Sequence, residues 1–177
     1  MISIRRARLS DASFIAAVHV ATWRSAYANL LPDDYLANLS VSRLAGYYEH
    51  GIRLGLGLHV AASYGVRGGP PILGFSSAVR CRDPSLGEGE VETLYVLDDY
   101  RERGLGGQLL RASAKHLAQL GCRSAFAWVL SQNPSRYFYQ HLGGKQIASG
   151  TTKVGDEDIP QTAFSWDPIT TLLDVDA

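Results

Sequence analysis

Apolar residues along this chain recur with two periods, and the switches between them divide it into elements. Ile2 and Ile4 alternate with Ser3 and Arg5, and Ala7 extends the pattern, which predicts an opening strand. Ser10 or Asp11 then caps a helix whose apolar face carries Phe14, Ile15, Val18 and Trp23. A second short helix opens at Leu31-Pro32-Asp33-Asp34-Tyr35-Leu36, with Pro32 near its first position. A third helical piece is expected from about Ser42 to His50, because Gly51 through Gly57 is too glycine-rich to continue it. Leu58–Tyr64 and Ile72–Arg80 read as strands joined by a hairpin-type connection rich in glycine and proline.

After a polar loop over Cys81–Gly89, a strand is predicted at Glu90–Leu97 and a long helix from Gly104 to about Leu120. That helix carries a stripe of Leu105, Leu109, Ala112, Leu110, Ala114, Leu117 and Leu120, and Gly121 suits its C-terminal cap. Arg123–Leu130 reads as a strand and Pro134–Leu142 as a short helix ending at Gly143-Gly144. Lys145–Ser149 and Gln161–Asp167 are expected to pair around a polar loop, Gly150–Pro160. With no repeat, low-complexity tract or linker, residues 1–177 read as one α+β domain with a mainly antiparallel sheet.

Composition narrows the function. Seventeen basic residues balance 17 acidic ones, which gives no general drive toward nucleic acid or an anionic membrane surface. The arginines near 101–111 are therefore a local feature, better matched to one ligand than to a polyanion. The first residues lack an apolar signal region and no apolar run is long enough to span a membrane, so a cytoplasmic location is expected. Cys81 and Cys122 have no metal-ligand spacing, and the five histidines form no ligand set, so no metal is implied.

The most informative stretch is Tyr95–Leu110, where an apolar strand turns through Gly104, Gly106 and Gly107 into an apolar helix. A helix N-terminus leaves N–H groups unpaired, and glycines let an anion approach them. A P-loop is excluded because Gln108-Leu109 stand where Lys and Ser or Thr belong, and the dinucleotide fingerprint fails because Leu109 replaces its third glycine.

Three motifs in order resemble the GCN5-related N-acetyltransferase (GNAT) superfamily over essentially the whole chain. Arg101-Glu102-Arg103-Gly104-Leu105-Gly106 fits its acyl-CoA signature, Gln or Arg followed by x-x-Gly-x-Gly or Ala. Glu90–Val96 resembles its fourth strand, and the run from Asn133-Pro134 through Phe138-Tyr139 to Leu142-Gly143-Gly144 resembles its fourth helix. The resemblance implies a GNAT-like fold in which strands four and five splay apart to admit acetyl-CoA. It implies that main-chain N–H groups from Arg103 to Gln108 hold the pyrophosphate, with Arg101, Glu102 and Arg103 beside them. Leu94, Tyr95 and Val96 would pair with the pantetheine arm and polarise the thioester carbonyl, and Asn133 would contact the arm or cap its helix.

The same resemblance gives Tyr139 as the group that protonates the departing thiolate, with Tyr137 as neighbouring rival. It gives Glu90 as the base that deprotonates the amine and Glu92 as reserve. Lying two apart on a strand, these glutamates are expected to share a face. The acceptor is expected under the first two helices, near Trp23, Arg24, Tyr27, Leu31 and Tyr35, with Asp156, Glu157 and Asp158 at its edge or on a solvated hairpin tip. His19 on the same helix reads as packing. The implied reaction is direct attack of a small-molecule or peptide amine on acetyl-CoA in a ternary complex. An acyl-CoA sensor with weak catalysis, an O-acetyl or longer-acyl transferase, and pairing into a homodimer through Thr162–Trp166 and Ile169–Val175 complete the expectations.

Overall fold

The computed structural model describes residues 1–65 and 68–174. Seven strands form one sheet in the order β1-β2-β3-β4-β5-β7-β6. The strands β1 (Ile2–Arg6), β2 (Gly57–Ser63), β3 (Ile72–Arg80) and β4 (Gly89–Val96) pair antiparallel in sequence order. Beyond them β5 (Ala125–Leu130) pairs antiparallel with β7 (Glu157–Trp166), which in turn pairs with the edge strand β6 (Lys145–Val154). The two halves meet where β4 and β5 run parallel, and they pair only at Gly89–Ala125 and Glu90–Phe126. Past Glu90 the strands separate, which gives the α+β architecture and splayed central pair that the sequence motifs implied.

Helices cover both faces. On one, α1 (Ala12–Ala26) and α3 (Val41–Arg53) bury Ile15, Ala16, Val18 and Tyr48 against Val60 and Phe75. On the other, α4 (Leu105–Gln119) seals Leu109, Leu110 and Leu117, each worth about 1.5–3 kcal/mol of transfer free energy. The short helices α5 (Ser135–His141) and α6 (Thr170–Leu173) close the β5–β7 half over Tyr139, Phe164, Trp166 and Leu172. Helix α4 lies unusually close to the sheet because two strand-end positions lack side chains. A Cβ on Gly89 would stand 2.7 Å from Leu117, and one on Gly57 would stand 2.3 Å from the His116 ring.

Several local expectations change. Helix α3 runs through Gly51 to Arg53 and ends only at Leu54, because packed neighbours on Tyr48 and Ile52 outweigh the helix cost of one glycine, about 1 kcal/mol. The Asp11 side chain does not cap α1; its carboxylate accepts from Arg5 at 2.7 and 3.1 Å and from the Arg8 N–H at 2.7 Å, closing a capping box on the preceding 3-10 turn Leu9–Asp11. Pro32 precedes α2 (Asp33–Ala37) rather than sitting inside it. Phe14 and Leu120 lie largely exposed, off the apolar faces assigned to them.

The supposed loop Gly150–Pro160 is mostly strand. The β6–β7 ladder continues to Val154 opposite Glu157, and only Gly155 and Asp156 form the turn. This hairpin is mostly polar and exposed, with only Val154 and Ile159 packed against the α1–α2 segment, so period-two alternation is weak in the sequence. Thr162–Trp166 has paired strands on both sides and so is not a free sheet edge, while Ile169 and Leu172 are buried in the chain's own core. Val175 lies outside the described residues.

Candidate active site

The gap between β4 and β5 has a defined hydrogen-bonding edge. Leu97 donates its N–H to the Leu73 carbonyl of β3 at 2.8 Å. Alternation along a strand therefore turns the polar groups of Tyr95 toward β3 and those of Leu94 and Val96 toward the gap. Consistently, the Val96 carbonyl is reached from that side by Arg101 Nε at 3.3 Å. Of the three residues expected to offer main chain to a ligand, Leu94 and the Val96 N–H face the gap, the Val96 carbonyl holds Arg101, and Tyr95 is engaged with β3.

The chain then makes a 3-10 turn over Asp98–Tyr100, adopts left-handed backbone at Glu102 and Gly104, and enters α4. Among the described residues no main-chain N–H from Glu102 to Gly107 reaches a protein acceptor within hydrogen-bond geometry. Gln108, expected to join this row, instead donates to the Gly104 carbonyl at 3.1 Å as the first bond of the helix. The glycines differ in their reasons. Gly104 holds φ +74, Gly106 packs so that a Cβ would lie 3.1 Å from the Phe138 ring, and Gly107 faces open space. Arg101 is salt-bridged to Asp98 at 2.9 Å, and Arg103 donates to the Asp99 carbonyl at 3.1 Å while lying over Tyr100. A row of free amides at a helix start, with cations beside it, fits a diphosphate, and an open strand edge fits an extended amide-bearing arm.

Tyr139 lies on α5. It is 6% exposed, with its ring among Phe138, Phe164 and Trp166. Burial, reinforced by the neighbouring Tyr27, pushes its phenol well above the ordinary range, so it remains protonated at any working pH. Tyr137 instead points outward, 60% exposed, beneath Arg136. Asn133 does cap its helix: the Oδ1 accepts from the Ser135 N–H at 2.9 Å, while Nδ2 donates to the Tyr27 hydroxyl at 3.0 Å.

The two glutamates lie where β4 is irregular. Ser77 pairs with Thr93 but Ala78 pairs with Val91, so Glu92 is an extra residue bulged out of the ladder. The bulge resets alternation: Val91 faces α4, whereas Tyr95, an even number of residues on, faces α1 and α3. Glu90 and Glu92 flank Val91 and so lie on the face opposite it, as two-residue spacing predicts, and the bulge acts beyond them by placing Thr93 on that face as well. Burial and then repulsion from Glu92 raise the Glu90 carboxyl, and burial raises that of Glu92.

Comparison with known proteins bears on this geometry. The FR47-like protein family matches residues 78–153, from the end of β3 into the β6–β7 hairpin. The uncharacterised N-acetyltransferase YuaI of Bacillus subtilis strain 168 is 31% identical over 173 residues, covering 97% of this chain and 96% of its own. The chain belongs to the GNAT superfamily. Among solved GNAT folds, YncA from Salmonella typhimurium with its cofactor acetyl-CoA superposes with a TM-score of 0.69 at 21% identity, covering 100% of this chain and 96% of that one. PaiA N-acetyltransferase from Thermoplasma acidophilum in complex with coenzyme A gives 0.68 at 16% identity, covering 94% and 99%.

The residues expected to face the acceptor form an aromatic cluster. Trp23 packs edge-on to Tyr27 at 5.1 Å and near Tyr35 at 6.1 Å, while Leu31, Leu36 and Val154 close the cluster between the α1–α2 segment and the β6–β7 hairpin. Arg24 is not free for a substrate, since it donates to the carbonyls of Leu36, Ala37 and Leu39 at the end of α2. Asp158 pairs with Lys153 at 3.0 Å on the hairpin. His19 stacks on Trp23 at 5.1 Å and shares a 2.7 Å hydrogen bond with the Tyr48 hydroxyl; burial pushes its imidazole down to about 4, so it is a neutral packing group. Sequence reasoning missed α3. Tyr47 and Tyr48 both feel the charge of Glu92, so this helix borders the carboxylates, a relationship that no local pattern encodes.

Proposed function

We propose that this GNAT protein transfers an acetyl group from acetyl-CoA to an amine by direct attack in a ternary complex. The observation that carries the donor reading is the row of unpartnered amides from Glu102 to Gly107, continuous with the open edge of Leu94 and Val96. Bound acetyl-CoA supplies the activated acetyl thioester. The amides and the α4 dipole hold its diphosphate, and Leu94 and Val96 align its arm. A Leu94 or Val96 N–H directed into the gap would stabilise negative charge developing on the carbonyl oxygen.

An amine reaches the site protonated and must lose that proton to attack. Glu90 takes the base role in this reading, because its raised pKa brings it closer to the proton it must accept. Glu92 holds the neighbouring charge and favours a cationic acceptor. Tyr139 donates toward the leaving sulfur. An ordinary phenol near ~10 facing a thiol near ~8.5 is already about 2 kcal/mol uphill as a full proton donor, and burial makes it a weaker acid still. Its role is therefore a hydrogen bond that steadies the thiolate while water completes the transfer.

A free-thiol release assay with acetyl-CoA against amino acids, polyamines, aminoglycosides and peptides tests the reading. Acceptor-dependent thiol release with an N-acetyl product is expected. Tight CoA binding without turnover on any acceptor supports the sensor instead, and an O-acetyl product would replace the amine.

A further inference from the structure

Away from the β4–β5 gap, α4 and the outer strands enclose a second cleft of about 440 Å³, within the range of small-molecule sites. Its helical wall follows from spacing. Gln108, Arg111, Lys115 and Gln119 recur at the three- and four-residue steps that align side chains on one helix face, adjacent to the apolar face that packs on the sheet. Its sheet wall comes from Arg6 of β1 and His59 of β2, which are register partners on the same face.

The charges here are uncompensated. Arg6, Arg111 and Lys115 line the cleft, and no acidic residue does among the described residues. Neither Arg111 nor Lys115 makes a hydrogen bond or ion pair among the described residues, although the chain as a whole carries equal numbers of basic and acidic groups. Arg6 is held in place by the carbonyls of Gly55 and Leu56 and by His116 Nδ1 at 3.0 Å.

One lining group is buried without a partner: Arg111 Nε meets no hydrogen-bond acceptor among the described residues. His59, only 8% exposed, has the Gly57 main chain beside its ring. A buried donor left unpaired costs about 1–3 kcal/mol, more beside a charge, so such atoms mark a place where an acceptor belongs.

We propose that this cleft binds a small phosphate monoester, with Arg111 and Lys115 on the phosphate, Arg6 and His59 completing the donor set, and the remaining volume taken by the organic portion. The guanidinium fork of Arg111 matches phosphate oxygens in a two-bond geometry that a lone ammonium does not. The site does not depend on the acyl-transfer reading. It does share α4 with the amides that precede Gln108, so a monoester on CoA itself is the alternative source of the same chemistry.

Isothermal titration with ribose 5-phosphate, inorganic phosphate and ribose, each repeated for Arg111→Gln and the exposed Lys115→Gln, tests the assignment. Saturable binding of ribose 5-phosphate is expected, with no binding of ribose and affinity at least tenfold weaker in each variant. CoA affinity should remain within twofold of wild type in both. Absence of ribose 5-phosphate binding, or binding unchanged in Lys115→Gln, overturns the proposal. So does a loss of CoA affinity in the variants that dephospho-CoA does not share, because the cleft would then hold the CoA 3′-phosphate. Circular dichroism on Arg111→Gln separates lost binding from lost folding, and Lys115→Gln decides the matter if Arg111→Gln does not fold.

Discussion

The Asn133 side-chain amide donates to the Tyr27 hydroxyl at 3.0 Å, tying the start of α5 to the end of α1 across 106 residues of sequence. Both side chains are buried, at 7% and 6% exposure, so neither group has water as a substitute. Tyr27→Phe leaves the amide unpaired and should cost about 1–3 kcal/mol, a fall of a few degrees in melting temperature. Asn133→Ala also removes the cap on the Ser135 N–H and should cost at least as much. Chemical denaturation of both single variants and the double variant measures the pair. Costs that simply add would mean that the hydrogen bond contributes nothing.

Gly106 and Gly107 should separate folding from ligand binding. Gly107→Ala places a methyl group in open space at the first turn of α4, so stability should hold or rise by about 0.5–1 kcal/mol while CoA affinity drops about tenfold. Gly106→Ala pushes against Phe138 and should lower stability by about 1 kcal/mol. Melting curves and titration with CoA read the two effects independently. Unchanged CoA affinity in Gly107→Ala would move the diphosphate away from this turn.

Tyr139→Phe keeps the ring among Phe138, Phe164 and Trp166 and removes only the hydroxyl. Melting temperature and acetyl-CoA affinity should stay near wild type. Turnover at saturating substrates should fall by about 10–100-fold without vanishing, because water replaces the donor. Full activity in this variant would take Tyr139 out of the chemistry.

The carboxylate pair predicts a pH profile. If ionised Glu90 is the base, the acid limb of kcat/KM lies above the ordinary carboxylate value, and Glu92→Gln should move it to lower pH by removing the repulsion. Glu90→Gln should abolish the limb and cut kcat/KM by about 100-fold or more. Stability responds with a definite sign. For both carboxyls the folded pKa is raised, so their favourable contribution is present in acid below about 4.3 and is lost as pH rises through the folded value. Glu90→Gln should therefore melt higher than wild type at pH 7, with the difference fading near pH 4.

Long periodic segments were legible from sequence because burial imposes its period on them: α4 begins and ends within a residue of its predicted limits, and β3 has its predicted bounds. The turn at Gly104 was legible because left-handed backbone selects glycine. The bulge at Glu92 was not, since an extra residue in a ladder changes facing without changing composition. Nor was the exclusion of Gln108 from the free amides, which depends on where the first helical bond forms. Main-chain donors carry no residue signature, so Leu94 and Val96 could be told from Tyr95 only by their pairing with β3. The β6–β7 hairpin was read as loop because Val154 and Ile159 are too few apolar positions to impose a period on an otherwise polar ribbon.

The two-pair junction between β4 and β5 has a mechanical consequence. Main-chain bonding makes β1–β4 one plate and β5–β7–β6 another, and among the described residues no strand pairing spans the seam away from the junction. A chain-like ligand seated there is a stitch, adding backbone-to-ligand bonds along the length where the protein has none of its own. Ligand binding should then tighten the whole molecule and slow amide exchange on both sides of the seam, with a rise in melting temperature that grows with ligand concentration.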